Sequence, residues 1–450
     1  LHMTTPPISD APLHFSFVTP THHYLSDGTR LHLLHYPGEN VVSLTMGLHV
    51  GAIYDEILGE TTLTAQLLTL GTALRSAEEL AVDVERRGCS LSSTADRDAV
   101  TIHASGLSEH AAWLAETMVS CLLQPRLDAS ELETVKRRRL ADTEMNMTDP
   151  DWLAAHAMLA VQYPAHPYAN PRDGIPSSIA QVDAAVVARV HSRMVAAPRD
   201  VVIAGGFDVE AVLATFERAM AAAPATAPLP PPPAVQAMAA TACVVDRSEA
   251  VQTVLRIAMP SVGMSHPSLA PQNLAITILG GYTLARLFSV LREEKGYTYG
   301  AYATNEIRRY GQALVMHTSV GNDFTKDTLD VIAEQVRSLQ RFDVNLDEVE
   351  RARQFMLGTL ARSTETPQQA AGMAWNVMQY GLAPDHYTQY AAALQRTTRD
   401  ELQAVSASLF DVRFWTIAAV GRASVLAEAL AGHVAHTRQW DTATMCLRPL

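Results

Sequence analysis

Three helix-boundary signals in the first half of the chain recur in the second half at one constant offset. Asp128, Glu131 and Pro150 are matched by Asn345, Glu348 and Pro367, each pair 217 positions apart. In both places an Asp or Asn is followed three residues later by Glu, the spacing of a capping box. In both, a proline then closes the helical stretch. Upstream, Arg87-Gly88 and Lys295-Gly296 each end a helical pattern before a strand pattern. Each half finishes on a short apolar strand, Val201–Gly206 and Trp415–Gly421, followed by a helix. Between the halves lies the run Pro224-Ala-Thr-Ala-Pro228-Leu-Pro230-Pro-Pro-Pro233, stiff and unable to enter a helix or a central strand. A repeated order of signals around such a break reads as internal duplication. It predicts a first half over residues 1–223, a linker over 224–237 and a second half over 238–450. With 450 residues, each half is long enough to bury a core of its own.

Within each half, strands come in neighbouring runs and the helices are amphipathic. This pattern predicts an α+β fold of two homologous halves, each a largely antiparallel sheet covered by helices. It does not alternate strand and helix regularly, which argues against a doubly wound nucleotide-binding fold. The net charge of −13 argues against general nucleic-acid or anionic-membrane binding, both of which need a basic surface. The longest apolar candidate, Val41–Ile53, is too short and too polar to span a bilayer. Cys89, Cys121, Cys243 and Cys446 are far apart with no Cys-x-x-Cys, so neither a disulfide framework nor a zinc ribbon is expected. Bland thiols suit a reducing compartment. The chain therefore reads as cytoplasmic, with the periplasm as the alternative if a leader preceded it.

The segment from Ile278 to Ala303 carries the densest pattern. It reads as an apolar strand reaching Gly280-Gly281, a helix closing at Gly296, and a new strand. No Gly-x-Gly-x-x-Gly is present and no Lys-Ser/Thr follows the glycines, so a phosphate cradle is poorly supported. On spacing alone, Arg292 belongs to a solvated charged turn with Glu293, Glu294 and Lys295, and Tyr299 to a half-buried strand. The helix over Gly59–Thr72 reads as core packing.

Taken together, Arg286-Leu287-Phe288, Arg292-Glu293, Gly296 and Tyr299 resemble the C-terminal signature of the pitrilysin/insulinase family of zinc metallopeptidases, which includes the mitochondrial processing peptidases. The first half resembles the same family through Tyr54-Asp55-Glu56, Gly59, Gly71-Thr72, His166-Pro167-Tyr168 and the Val201–Gly206 strand, in the expected order. The resemblance covers nearly the whole chain. It implies that Arg292 and Tyr299 act on the scissile carbonyl. A guanidinium and a phenol aimed at the developing oxyanion would stabilise the tetrahedral state. It also implies a peptide-binding role for Gly280 and Gly281, which without Cβ atoms let a backbone pass close to the loop.

The decisive departure lies on the first helix. Active members carry His-x-x-Glu-His there, two imidazoles for zinc and a Glu as general base. Here those positions are Thr62, Ala65 and Gln66, and the third ligand, a Glu in the family, falls near Asp142 or Glu144. The histidine pairs His32/His35 and His433/His436 show no acidic partner in a ligand pattern. The chain is therefore expected to hold no catalytic zinc and no cofactor of its own. It is expected to serve as the non-zinc, substrate-binding and transition-state-stabilising subunit of a heterodimeric zinc metalloendopeptidase. The zinc would sit on a homologous partner bearing His-x-x-Glu-His, and peptide would be the substrate. Two alternatives stay open: a structural subunit like the core proteins of respiratory complexes, and a peptide-binding homodimer.

Overall fold

The apolar run beginning at Val41 becomes an interior strand of a sheet covered on both faces. The computed structural model describes residues 15–236, 240–442 and 445–449. Residues 1–14 of the first half and residue 237 of the linker lie outside them. The first half runs through β1 (Thr21–Tyr24), β2 (Arg30–His35), β3 (Val41–Leu48), α1 (Glu60–Leu67), α2 (Ala77–Arg86), β4 (Ser90–Ala95) and β5 (Val100–Leu107). It continues with α3 (Ala111–Leu123), α4 (Ala129–Asn146), α5 (Pro150–Gln162), α6 (Pro176–Ile179), α7 (Ala184–Ala196), β6 (Arg199–Gly205) and α8 (Val209–Met220). The second half has β7 (Thr241–Asp246), β8 (Gln252–Pro260), α9 (Leu269–Gly280), α10 (Arg286–Phe288), β9 (Ala301–Ile307), β10 (Gln312–Gly321), α11 (Thr325–Gln340) and α12 (Leu346–Arg362). After these come α13 (Pro367–Gln379), α14 (His386–Arg396), α15 (Arg399–Leu409), β11 (Thr416–Gly421), α16 (Ala423–Leu430), β12 (Thr437–Asp441) and β13 (Cys446–Pro449).

The duplication is visible in the strand order. The first sheet runs β1-β2-β6-β3-β5-β4 and the second β13-β12-β7-β11-β8-β10-β9. The shared core, β2-β6-β3-β5-β4 against β7-β11-β8-β10-β9, is the same path. In each, one parallel pair (β2 with β6, β7 with β11) is followed by antiparallel neighbours. The fold is thus α+β and duplicated, with largely antiparallel sheets. The segment after Gly432 extends the second sheet, β12 lying parallel to β7 and β13 antiparallel to β12. Every residue of β6 and β11 is buried, the signature of strands covered on both faces.

The covering is reciprocal. One face of the first sheet packs on its own α3, α7 and α8, and the other receives α13 from the second half, through Leu34, Val202 and Ala204 against Ala371, Ala374 and Trp375. One face of the second sheet packs on α9 and α11. Its other face receives α5 from the first half, through Val254, Ala258, Val315 and Ala418 against Leu153, Ala154 and Ala157. These exchanged helices are the two that open at Pro150 and Pro367. Each proline stands at the first turn, where its missing N–H costs nothing. Asp149 accepts from the Asp151 N–H, and Thr366 and Gln369 form a capping box. The prolines therefore open the next helix as well as end the previous one.

Two local expectations are corrected. Asn345 forms a capping box with Glu348, but the Asp128 side chain makes no cap. It pairs instead with Arg126 at 2.6 Å. The apolar run before Gly280-Gly281 is the helix α9, not a strand. Its residues are buried almost all round, so the 3.6-residue period that would mark a helix is erased. The proline-rich segment lies along the first half. Thr226 N–H donates to the Asp27 carbonyl at 3.0 Å and Ala227 N–H to the Ala196 carbonyl at 2.9 Å. Buried Arg199 donates to the Pro224 carbonyl at 3.2 Å. Among the described residues no helix is long and apolar enough to cross a membrane.

The α13 crossing can be tested at Gly47, in β3. A Cβ there would come within 2.0 Å of the Trp375 indole. Gly47→Ala is expected to destabilise the chain by about 1–3 kcal/mol through overpacking. The denaturant midpoint should fall accordingly, and an unchanged midpoint would mean that Trp375 does not fill this position.

Candidate functional site

The helix at the family's metal motif is fixed by buried charge. Glu60, at its first position, is fully buried and binds Arg189 at 2.6 Å and Arg193 at 3.0 Å. It also accepts the Glu56 N–H at 3.1 Å. Asp55 accepts the N–H groups of Gly59 and Thr61 at 3.0 and 3.3 Å, satisfying the open end of α1. Gly59 takes φ +89°, and a Cβ there would come within 2.9 Å of the Gly174 backbone. The loop at 172–174 is thereby pressed onto the helix.

The three motif positions are turned to packing. Thr62 is buried and its hydroxyl donates to the Arg172 carbonyl at 2.8 Å. Ala65 is buried in the core and has no ligand atom. Gln66 is half-buried, and an amide is a poor zinc ligand. On α4 the buried side chain near the expected third ligand is Thr143, with Asp142 half-buried and Glu144 exposed on either side of it. This donor set does not fit a catalytic zinc ion. Among the described residues no group of three His, Cys, Asp or Glu is placed to hold a metal.

Arg292 and Tyr299 are brought together. Arg286 clamps the loop after α9 by a two-pronged pair with Glu348 at 2.8 and 2.9 Å, and by bonds to Ser338 and the Asp343 carbonyl. Leu287 and Phe288 anchor α10 in the core. The backbone then widens into a π-turn over Ser289–Glu294, a geometry frequent at functional sites. It sets the Arg292 guanidinium 4.8 Å from the centre of the Phe288 ring. Gly296, at φ +68°, reverses the chain, and Arg292 Nη1 donates to the Tyr299 carbonyl at 2.9 Å. The backbone at 298–300 is fixed by Thr298 and Thr318, whose hydroxyls donate to the Gly300 carbonyl at 2.9 and 3.0 Å. The Tyr299 side chain is left 89% exposed. An exposed phenol and a guanidinium on a rigid turn can both donate to an oxygen presented from outside the chain.

Gly280 and Gly281 have an internal reason to lack side chains. A Cβ on Gly280 would stand 2.5 Å from the Ala303 nitrogen, so glycine lets α9 lie directly on β9. A Cβ on Gly281 would meet Thr277 at 2.7 Å.

Two groupings escaped the sequence. His32 does have an acidic partner, Asp200 on β6. Its Nε2 and that of His49 both reach the Asp200 carboxylate at 2.6 Å, as does Arg30. Burial opposes the charge, yet these three donors hold the Asp200 carboxyl well below the usual carboxylate range. The partners lie about 150 or more positions away in sequence; β6 pairing with β2 and with β3, which His49 follows, brings them together. The second grouping is four arginines between the halves, Arg97, Arg172, Arg256 and Arg308.

Residues 30–172 match the family model described as Insulinase (Peptidase family M16), and residues 182–356 match the one described as Peptidase M16 inactive domain. The chain belongs to the insulinase family. An uncharacterized zinc protease of Bacillus subtilis is 22% identical, over 76% of this chain and 83% of that protein. One of Mycobacterium tuberculosis is 23% identical, over 83% of this chain and 87% of that protein. Among solved structures, a peptidase M16 inactive domain from Pseudomonas fluorescens superposes with TM-score 0.84 at 20% identity, covering 90% of this chain and 98% of that one. A chain of complex III from Candida albicans superposes at 0.75 and 15% identity, covering 91% and 97%. At these identities the structural likeness is one of fold. In this family member Arg286–Tyr299 form a braced turn, and Thr62, Ala65 and Gln66 offer no zinc ligand set.

Asp55 gives the site a measurable pH signature. Burial pushes its carboxyl up to about 7 against the bonds it accepts, whereas an unfolded Asp titrates near 3.9. Between about pH 4 and 7 the native state therefore holds the extra proton, and stability falls as pH rises through that window. Asp55→Asn should remove this component, so that the stability of the variant relative to wild type climbs from about pH 4.5 to 7.5. Denaturation curves at several pH values check this. A constant difference would show that Asp55 is ionised in the native state throughout.

Proposed function

We propose that this chain is the non-zinc subunit of a two-chain insulinase-family peptidase, supplying Arg292 and Tyr299 to the transition state. The observation that carries the reading is one of contrast. The Arg292 guanidinium is bonded to the Tyr299 backbone and both side chains are exposed on a braced turn, while Thr62, Ala65 and Gln66 offer no ligand set. The partner is a homologous chain bearing His-x-x-Glu-His, and its zinc would supply the activated water. Against the tetrahedral intermediate, Arg292 places a permanent positive charge and Tyr299 an O–H donor. Both are worth most where water is excluded. Peptide binds as an added strand at a sheet edge. In this reading Gly281, half-buried at the end of α9, adjoins the peptide-facing surface, while Gly280 lies buried beneath it against β9.

The test begins with recovery of the chain from its native cells and identification of what accompanies it. A near-stoichiometric homologue with His-x-x-Glu-His is the expected result. A partner equally without ligands would favour the structural subunit instead, and self-association alone the peptide-binding homodimer. With the assembled enzyme, Arg292→Ala should cost about 2–4 kcal/mol in kcat/KM, the usual cost of losing an oxyanion donor. Tyr299→Phe should lower kcat while leaving assembly intact. Unchanged kcat/KM in Arg292→Ala would remove that residue from the chemistry.

A further inference from the structure

A cavity of about 360 Å³ lies where α5, the β4–β5 turn, the loop at 172–173 and the strands β8 and β9 meet, so both halves line it. Four guanidiniums converge on it although the chain as a whole carries a net charge of −13. Their carboxylates are shared. Glu306 serves Arg308 at 2.9 Å and Arg256 at 3.4 Å. Arg172 pairs with Asp96 at 3.2 Å and Asp173 at 3.5 Å, and Asp173 also serves Arg139 at 3.6 Å. Arg97 donates to the Tyr168 and Asn170 carbonyls, each at 3.4 Å. It pairs with no carboxylate among the described residues. Burial first, then the charges of Arg308 and Arg172, push its guanidinium down to about 10. The cavity therefore holds more positive charge than its own acids neutralise.

Two further side chains narrow the ligand. Gln162, the last residue of α5, lines the cavity at 0% exposure, and neither atom of its amide has a hydrogen-bond partner. A buried amide in that state is costly unless a ligand satisfies it. His156 donates from Nδ1 to the Trp152 carbonyl at 2.9 Å, which leaves Nε2 as an acceptor in the neutral ring. Burial pushes its pKa down to about 4, so the ring is neutral at pH 7. The Trp152 ring stacks on it, with centroids 3.8 Å apart. The wall thus offers arginine forks for an oxyanion, an acceptor for an N–H, and an apolar face. A carboxylate flanked by peptide N–H groups and carbon matches all three; inorganic phosphate, with its oxyanions and P–OH, matches the first two but not the apolar face.

We propose that this inter-half cavity is a recognition site for the side-chain carboxylate of a Glu or Asp in a bound peptide. The choice of a peptide rests on the proposed peptide-handling role; the anion site rests on Arg97, Gln162 and their neighbours. The test is calorimetry on the isolated full chain at fixed ionic strength. Three probes are compared: a short amidated peptide with one central Glu, the same peptide with Gln, and inorganic phosphate. Saturable one-site binding of the Glu peptide is expected, weaker by about tenfold with Gln and by about tenfold in Arg97→Gln, the scale of a charge-assisted bond. Arg172→Gln, on the cavity rim, provides the same comparison if Arg97→Gln fails to fold by circular dichroism. Equal affinity for the Glu and Gln peptides, or binding of none of the probes, overturns the proposal. Phosphate binding more tightly than the Glu peptide assigns the site to a free anion and overturns the peptide carboxylate. No partner is needed for these measurements. Recovery of no zinc-bearing partner would sink the subunit reading and leave a positive binding result standing.

Discussion

The structure depends on a reciprocal exchange of two helices. Each sheet is buried on both faces, yet each half supplies cover for one face and one crossing helix for the other half's sheet. α5 lies on β7, β8 and β11, and α13 lies on β2, β3 and β6. Neither sheet could keep its continuous apolar strands away from water without the opposite half. This joins the two repeats into one unit more firmly than the proline-rich segment could. It also gives a reason for the recurrence of Asp149-Pro150 as Thr366-Pro367 at the common offset. Those turns launch the exchanged helices and set their direction.

The exchange also creates the interior between the halves, and its charge is unevenly treated. Where a buried group has a fixed structural task, it is paired. Asp200 takes three donors, Glu60 takes two arginines, and Arg199 binds Asp27 at 3.1 Å. Around Gln162 that habit breaks: Arg97 has no carboxylate partner among the described residues, and Arg256, Arg308 and Arg172 share theirs. Their positive surplus, with a buried amide left without partners, is unfavourable for stability alone, which is why it reads as a ligand site.

The signature around Arg292 is a mechanical assembly before it is a chemical one. Arg286 holds the loop to α12, Phe288 lies beneath the Arg292 guanidinium, the π-turn sets its direction and Gly296 returns the chain to it. Each signature residue has a position to maintain, and Tyr299 alone is left pointing out with almost its whole surface free.

The sequence by itself determined the duplication and the α+β class from local pattern, and, through the family resemblance, the loss of the metal motif. Caps and prolines repeat at a fixed interval, strand runs are contiguous, and a ligand is present or absent at a given residue. It misjudged α9, whose burial on every side erased the helical period, and the cap at Asp128, where a neighbouring Arg126 competed for the carboxylate. It reached Arg292 and Tyr299 only through a resemblance, since seven residues in a charged turn carry no local sign of chemistry. Tertiary structure alone decided the helix exchange, the meeting of His32, His49 and Asp200, and the gathering of Arg97, Arg172, Arg256 and Arg308. Those groups come from separate elements far apart in the chain. Sheet order and packing, not sequence neighbours, set which charges face each other and how much water remains between them.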